Sequence, residues 1–427
     1  MFPFPLNFSL IFLTMKTLTY TLLLALFLLT TQSFAQEKGW NQWRGPDHTG
    51  KSYSTGLISS WPESGPTITW RIDTLGEGFS NFSFLGDTMF TMGQFREGNK
   101  NGTYAIALDR KDGKILWETL IGPVADPGRY VGPRSTPATD GEWVYVLGQE
   151  GDAAALDIKT GKKLWGYNLK EKFGSRIDTG WGHAVSPILD GDQLIFTIGG
   201  SGGFLVSVDK KTGEKIWQSE GLQEATSYAT AVPVEIDGVP QYIVHSNFGL
   251  AGIAKDGKLL WRKDRERRTA ICTDLMLVGN IVVASSAYGM GLNGYEVKKV
   301  GDTFEVTELY DDRGLESHHG GMVSVGNYVY FLTNRELVCL DTKTGQTIWR
   351  NPSVGKGSIT FADGNLIVRN ERTGTVALVV ATPDEYKEIS RFDQPERSDK
   401  QSWTYPIVVD GKMYIRDQDK LFCYSLR

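Results

Sequence analysis

Cysteine is scarce in this chain. There are three in 427 residues, Cys272, Cys339 and Cys423, and no two are adjacent. So sparse and odd a set excludes a disulfide-stapled scaffold. Cys339 and Cys423 stand at matching places in "LVCLD" and "LFCYS". All three are read as buried free thiols. Basic charge is not in excess either: 45 Lys and Arg face 50 Asp and Glu, a formal net charge of −5. A nucleic-acid partner would need a basic stripe. The short stretch 262–268 interleaves Asp264 and Glu266 among its arginines and reads as a solvated loop.

Catalytic signatures are also missing. The one G-x-S-x-G match, "GGSGG" (199–203), lacks the strand-to-helix elbow that exposes a nucleophilic serine. "GMGLNG" (289–294) matches G-x-G-x-x-G, but "YEVKKV" follows it. That is a strand pattern, and a dinucleotide site needs a helix N-terminus there. "GGSGG" (199–203) likewise reads as a hairpin.

Long apolar runs are confined to the N-terminus. Residues 17–31, "TLTYTLLLALFLLTT", follow Met15-Lys16 and lead to Ser33-Phe34-Ala35. Small residues at −3 and −1 predict a signal peptide cleaved after Ala35. The mature chain is then expected in the periplasm or outside the cell, with no membrane span. The alternative is an uncleaved anchor, but the run is shorter than the ~20 residues of a spanning helix. Gln36 is not Cys, so no lipid anchor is expected there. Residues 1–14 lack a basic charge, so Met15 is a second candidate start.

What the chain has in abundance is repetition. "ALDIKTGKKLW" (155–165) returns as "ALDRKDGKILW" (107–117), "SVDKKTGEKIW" (207–217) and "CLDTKTGQTIW" (339–349), and in shorter form as "GIAKDGKLLW" (252–261). Each copy has Gly four residues before Trp. Around one copy the pattern gives four short strands with tight turns, the last two joined by "KTGK". Gly suits the left-handed position of such a turn. The phrase lacks the spaced carboxylates of a calcium loop.

Trp70, Trp117, Trp165, Trp217, Trp261 and Trp349 fall at intervals of 47, 48, 52, 44 and 88. The last is two units, the first of them a weaker one ending in "TELY". Four strands every 44 residues or so predict a β-propeller. The C-terminal "SWTYPIVVDGKMYIRDQDKLFCYSLR" supplies three strands, and "PTITWRIDTL" (66–75) supplies the missing fourth. The expected fold is therefore all-β: an eight-bladed β-propeller of four-stranded antiparallel blades, closed by pairing an N-terminal strand with the C-terminal blade. Closure also removes the sheet edges that invite aggregation. The expected organisation is a signal peptide at 1–35, a leader packing on the propeller at 36–65 and the propeller at 66–427. The repeated phrase is then an outer hairpin, and its six Trp residues dock neighbouring blades.

The A-x-D-x-x-T-G-x-x-x-W form of Ala155–Trp165 and its copies resembles the pyrroloquinoline quinone (PQQ) repeat superfamily. That group includes quinoprotein alcohol dehydrogenases and the propeller scaffold of bacterial outer-membrane assembly. The opening "WNQWRGPDHTGKS" (40–52) is similar to the leader of exported PQQ-like propellers. The resemblance covers nearly all of the mature chain. It implies the fold, and for the enzymes it implies PQQ with calcium, an acidic base and often a vicinal cysteine pair. This chain has no Cys-Cys and no calcium cluster placeable by motif.

Propeller function usually sits at the channel mouth, on loops leading into the innermost strands. Here those loops offer Tyr130, Arg134, Trp181, His183, Tyr228, His318, His319, Lys356, Trp403 and Tyr405. Aromatic and cationic groups together suit a small polar or anionic molecule, a sugar or a protein partner. Trp181 and Trp403 could stack on a ring, and Arg134 could hold a carboxylate. His183, His318 and His319 could ligate a metal. Vicinal histidines chelate poorly, and no carboxylate spacing accompanies them, so no metal is assigned. The reading is a binding or scaffold module. The alternatives are a PQQ-dependent dehydrogenase oxidising an alcohol or sugar, with Arg134, Trp181 and Lys356 near the quinone, and a polysaccharide-binding propeller. No catalytic residue is assigned.

Overall fold

The computed structural model describes residues 39–98, 100–125, 130–177, 180–266 and 270–427. The expected signal peptide and its cleavage site lie outside them. Among the described residues, no helix is long and apolar enough to cross a membrane.

Eight four-stranded antiparallel sheets follow one another along the chain. The second is typical: Ala138–Thr139, Trp143–Leu147, Asp152–Asp157 and Lys163–Asn168, paired in that order. Its two middle strands are nearly all buried, residues 144–147 and 153–156 throughout, because both of their faces pack on neighbouring blades. The outer strand has no fully buried residue, since it lies at the rim and meets solvent. The eighth sheet joins the chain ends: Ile68–Ile72 pairs with Lys420–Ser425, setting Trp70 opposite Cys423. The ring closes as the sequence predicts.

A buried guanidinium clips this junction. Arg416, in the closing blade, donates to the carbonyls of Ser80 (2.9 Å), Met92 (2.7 Å), Gly76 (3.2 Å) and Gln418 (2.7 Å) and to Thr91 Oγ1 (2.8 Å). Burial lowers its pKa to about 9, against the nearby Asp419 charge, which favours the cation.

The repeated phrase now has a physical account. Its Asp caps the turn: Asp157 Oδ1 accepts the backbone N–H groups of Lys159 (3.2 Å) and Thr160 (2.8 Å), and Asp209 and Asp341 do the same in their copies. Its Gly lies under the indole of the preceding blade. A Cβ on Gly161 would come within 2.6 Å of the Trp117 ring, and one on Gly213 within 2.8 Å of Trp165. The indole N–H of Trp70, Trp117, Trp165 and Trp349 donates at 3.0–3.1 Å to the carbonyl of Arg110, Ile158, Lys210 and Thr382, each in the following blade. Trp217 and Trp261 bond instead to Gln193 and Gln241 of their own blades. In the weaker fifth unit Tyr310 takes the place: its hydroxyl donates to Thr342 O at 3.0 Å, and its ring lies against Gly345. Most of these indoles are half-buried; Trp261 is fully buried.

The segment from Gly39 to Ser52 threads past the innermost strands of successive blades. Trp40 O accepts from Phe84 N (2.7 Å), Asn41 O from Thr139 N (2.9 Å) and Gln42 Oε1 from Leu189 N (3.0 Å). Arg44 donates to Met322 O, Gly50 O accepts from Phe361 N (3.0 Å), and Ser52 Oγ donates to Val408 O (2.7 Å). "WNQWRGPDHTG" thus spends its polar groups on strand ends all around the ring.

Candidate functional site

One cavity of about 150 Å³ opens at the mouth of the ring. Each contributing loop runs into an innermost strand. Phe79 comes from blade 1, Tyr130 and Arg134 from blade 2, Trp181 from blade 3 and Tyr228 from blade 4. Cys272 comes from blade 5, His318 and His319 from blade 6, and Trp403 and Tyr405 from blade 8. Trp43, from the N-terminal segment, reaches the same cavity, and its indole donates to Asp274 Oδ2 at 2.5 Å. Burial raises the pKa of the Asp274 carboxyl to about 6, against the Trp43 and Thr230 N–H groups that favour its anion.

Eight of the ten expected site residues line this one cavity: Tyr130, Arg134, Trp181, Tyr228, His318, His319, Trp403 and Tyr405. Lys356 stands just behind the lining, its ammonium 3.1 Å from His318 Nδ1 and 3.3 Å from Glu371 Oε1. His183 is elsewhere. It is buried against Gly151, its backbone N–H donates to Gln149 O at 2.7 Å, and it does not line the cavity. Desolvation lowers its pKa to about 4, so it is a neutral packing residue.

Aromatic rings dominate the wall. Phe79 and His319 each stack on Trp403 at 4.3 Å between centroids, and His318 lies 3.6 Å from His319. Both faces of Trp403 are therefore occupied. The expected stacking of a ligand on that indole gives way to presentation of its edge, and its N–H is buried with no hydrogen-bond partner among the described residues. Trp181 is held at 6.1 Å from Tyr228.

Among the described residues, Arg134 is the one strongly basic side chain in the lining. It donates to the carbonyls of Tyr130 (2.7 Å), Trp181 (3.1 Å) and Gly132 (3.4 Å), and its charge sits 5.5 Å from the Phe79 ring centroid. Among the described residues no Asp or Glu lines the cavity, and no carboxylate pairs with Arg134. Burial lowers its pKa to about 10, so it remains a cation at neutral pH.

Trp43, Phe79, Tyr288 and Cys272 line the cavity but were not among the expected residues. Trp43 lies in "WNQWRGPDHTGKS" (40–52) and Phe79 in the mouth loop "GEGFSNFS" (76–83), yet nothing in either spacing says which ring turns inward. Cys272 corrects the expectation of three buried thiols. Cys339 and Cys423 are buried, whereas Cys272 is half-exposed and faces the cavity. Its place in a mouth loop, "RRTAICTD", was the available signal. Surrounding apolar groups push its thiol pKa up to about 12.

A family model described as outer membrane protein assembly factor BamB matches residues 49–232, 100–351 and 253–424. The protein of that name from Kangiella koreensis is 29% identical over 135 residues, 31% of each chain, so the chain spans about a third of that curated relative. Its namesake from Burkholderia pseudomallei is 24% identical over 284 residues, covering 64% of this chain and 68% of the relative. Among solved structures, quinohemoprotein alcohol dehydrogenase from Comamonas testosteroni superposes with a TM-score of 0.61 at 11% identity, covering 92% of this chain and 81% of that one. At that identity the likeness is one of fold.

Proposed function

The chain belongs to the PQQ-like repeat propeller family described as outer membrane protein assembly factor BamB, and from that premise we propose that it is an exported binding propeller. Its ligand is a small, flat, anionic molecule, or an anionic group offered by a partner protein, held at the channel mouth. The observation that carries this reading is Arg134. A guanidinium surrounded by rings, bonded to neutral carbonyls and lacking a carboxylate among the described residues, is a preorganised anion receptor. The rest of the ring serves as scaffold: Trp117, Trp165 and their equivalents dock blades through the following hairpin, which fixes the eight loops relative to one another.

PQQ is itself flat and anionic, so the dehydrogenase reading deserves a chemical fit. Arg134 and the Trp181 face suit a quinone carboxylate. When bound, PQQ would accept a hydride equivalent from an alcohol. Calcium is a poor fit, because it takes six to eight oxygen ligands and the described lining offers no carboxylate. The Asp274 carboxyl, behind the lining, already holds the N–H groups of Trp43 and Thr230. These features favour binding over oxidation.

The test is calorimetric titration of the purified chain with PQQ, with and without calcium, alongside a simple aromatic carboxylate and a neutral oligosaccharide. Calcium-independent binding of the anions is expected, with Arg134→Met weakening it by ~10–100-fold, the loss of a charge-assisted pair. Binding that needs calcium would move the reading to the dehydrogenase. Binding of the neutral sugar alone would move it to glycan recognition.

A further inference from the structure

Cys272, His318 and His319 meet on one side of the cavity. One ligand atom from each, the thiol sulfur and an imidazole nitrogen from both histidines, lies within 4.8 Å of the other two. One nearby ring nitrogen, His318 Nε2, is buried without a hydrogen-bond partner among the described residues. Buried polar atoms without partners call for an explanation. Sequence spacing argued against chelation by adjacent histidines, but spacing could not show that a thiol from the neighbouring blade closes the set.

We propose that Cys272, His318 and His319 form a binding site for a soft metal ion, Cu(I), with an open position facing the aromatic cavity. A thiolate with two imidazoles is a soft donor set that selects Cu(I) or zinc over calcium, magnesium or manganese. The surroundings choose between the two. The Lys356 ammonium lies 3.1 Å from His318 Nδ1, and Arg134 lines the same cavity. Fixed positive charge opposes a dication twice as strongly as a monocation. One thiolate neutralises Cu(I), and the Cys272 proton leaves to solvent as the copper–sulfur bond forms. Lys356 must yield its contact with His318 for the ring to turn its lone pair to the metal. Glu371 Oε1, already 3.3 Å from that ammonium, receives it. Glu371 also stands 3.7 Å from His319 Nδ1 and orients that ring. The site does not depend on the anion-binding reading of the cavity.

The test uses the reduced chain under anaerobic conditions, with Cu(I) supplied as its bicinchoninate complex. Transfer of one copper per chain is expected, followed by loss of the chelate's colour. Cys272→Ser, nearly isosteric, is expected to abolish transfer while leaving the melting curve unchanged. His318→Ala and His319→Ala are each expected to weaken it by ~10-fold or more. Lys356→Met, which removes the competing cation, is expected to tighten it severalfold. X-ray absorption should find one sulfur and two nitrogen ligands. Absence of transfer, or equal transfer to Cys272→Ser, overturns the proposal. Titration of the metal-free wild-type chain with the aromatic carboxylate separates the two readings, because anion binding through Arg134 needs no copper.

Discussion

Replacing Gly161 by Ala isolates the contact that repeats around the ring. Gly161 has φ = 68°, and an added Cβ would lie 2.6 Å from Trp117 Cδ2 and Cε3 and 2.7 Å from Thr119 Oγ1. Two costs add. The left-handed backbone costs ~1–2 kcal/mol for a residue with a Cβ. Forcing a methyl into a packed ring adds ~1–3 kcal/mol. The control is Gly191, with φ = 62° and nothing within 4 Å of its Cβ position, which carries only the first cost. Denaturant unfolding followed by far-UV circular dichroism should therefore rank Gly161→Ala at ~2–5 kcal/mol and Gly191→Ala at ~1–2 kcal/mol. The cycle is completed with Trp117→Ala. In that background Gly161→Ala should cost less than in the wild-type chain, while staying above the control because the Thr119 Oγ1 contact remains, giving a coupling of ~1–2 kcal/mol. Equal effects at Gly161 and Gly191, or no coupling to Trp117, would refute the claim that the phrase is a joint between blades.

Arg416→Met leaves the carbonyls of Ser80, Met92 and Gly76 without their donor at the ring closure, and a loss of ~3–5 kcal/mol in denaturant unfolding is expected. Buried His48 and His183, with pKa lowered to about 4, and His245, lowered to about 3, are neutral in the fold. Each is depressed from an unfolded value near 6.5, so its stability contribution is full above that pH. The contribution is lost progressively as pH falls from about 6.5 to about 4, and for His245 on to about 3. Melting temperature should drop over that range, and His183→Gln should flatten the decline. Cys272, with its thiol held near pH 12, should resist iodoacetamide at pH 8 in the folded chain and react once unfolded. Rapid labelling of the native chain would contradict that environment.

The sequence by itself determined the repeat, its period, the four-strand blade and the closure, because each rests on local rules. Alternation sets strands, Gly sets turns, and Trp recurs once per unit at 70, 117, 165, 217, 261 and 349. Even the weak fifth unit was placed, although only the structure shows Tyr310 standing where Trp stands elsewhere. The channel-mouth loops were also legible, since every segment before an innermost strand must open on the same side of the ring. Direction within those loops was not. His183 and His318 look alike in sequence, yet one turns into the core and the other into the cavity. Trp403 reads as a stacking platform until Phe79 and His319 are found on its two faces. Cys272 meets the histidines, and Trp43 reaches the cavity, across separations of tens to hundreds of residues. Such meetings follow from side-chain packing between blades, and no local pattern encodes them.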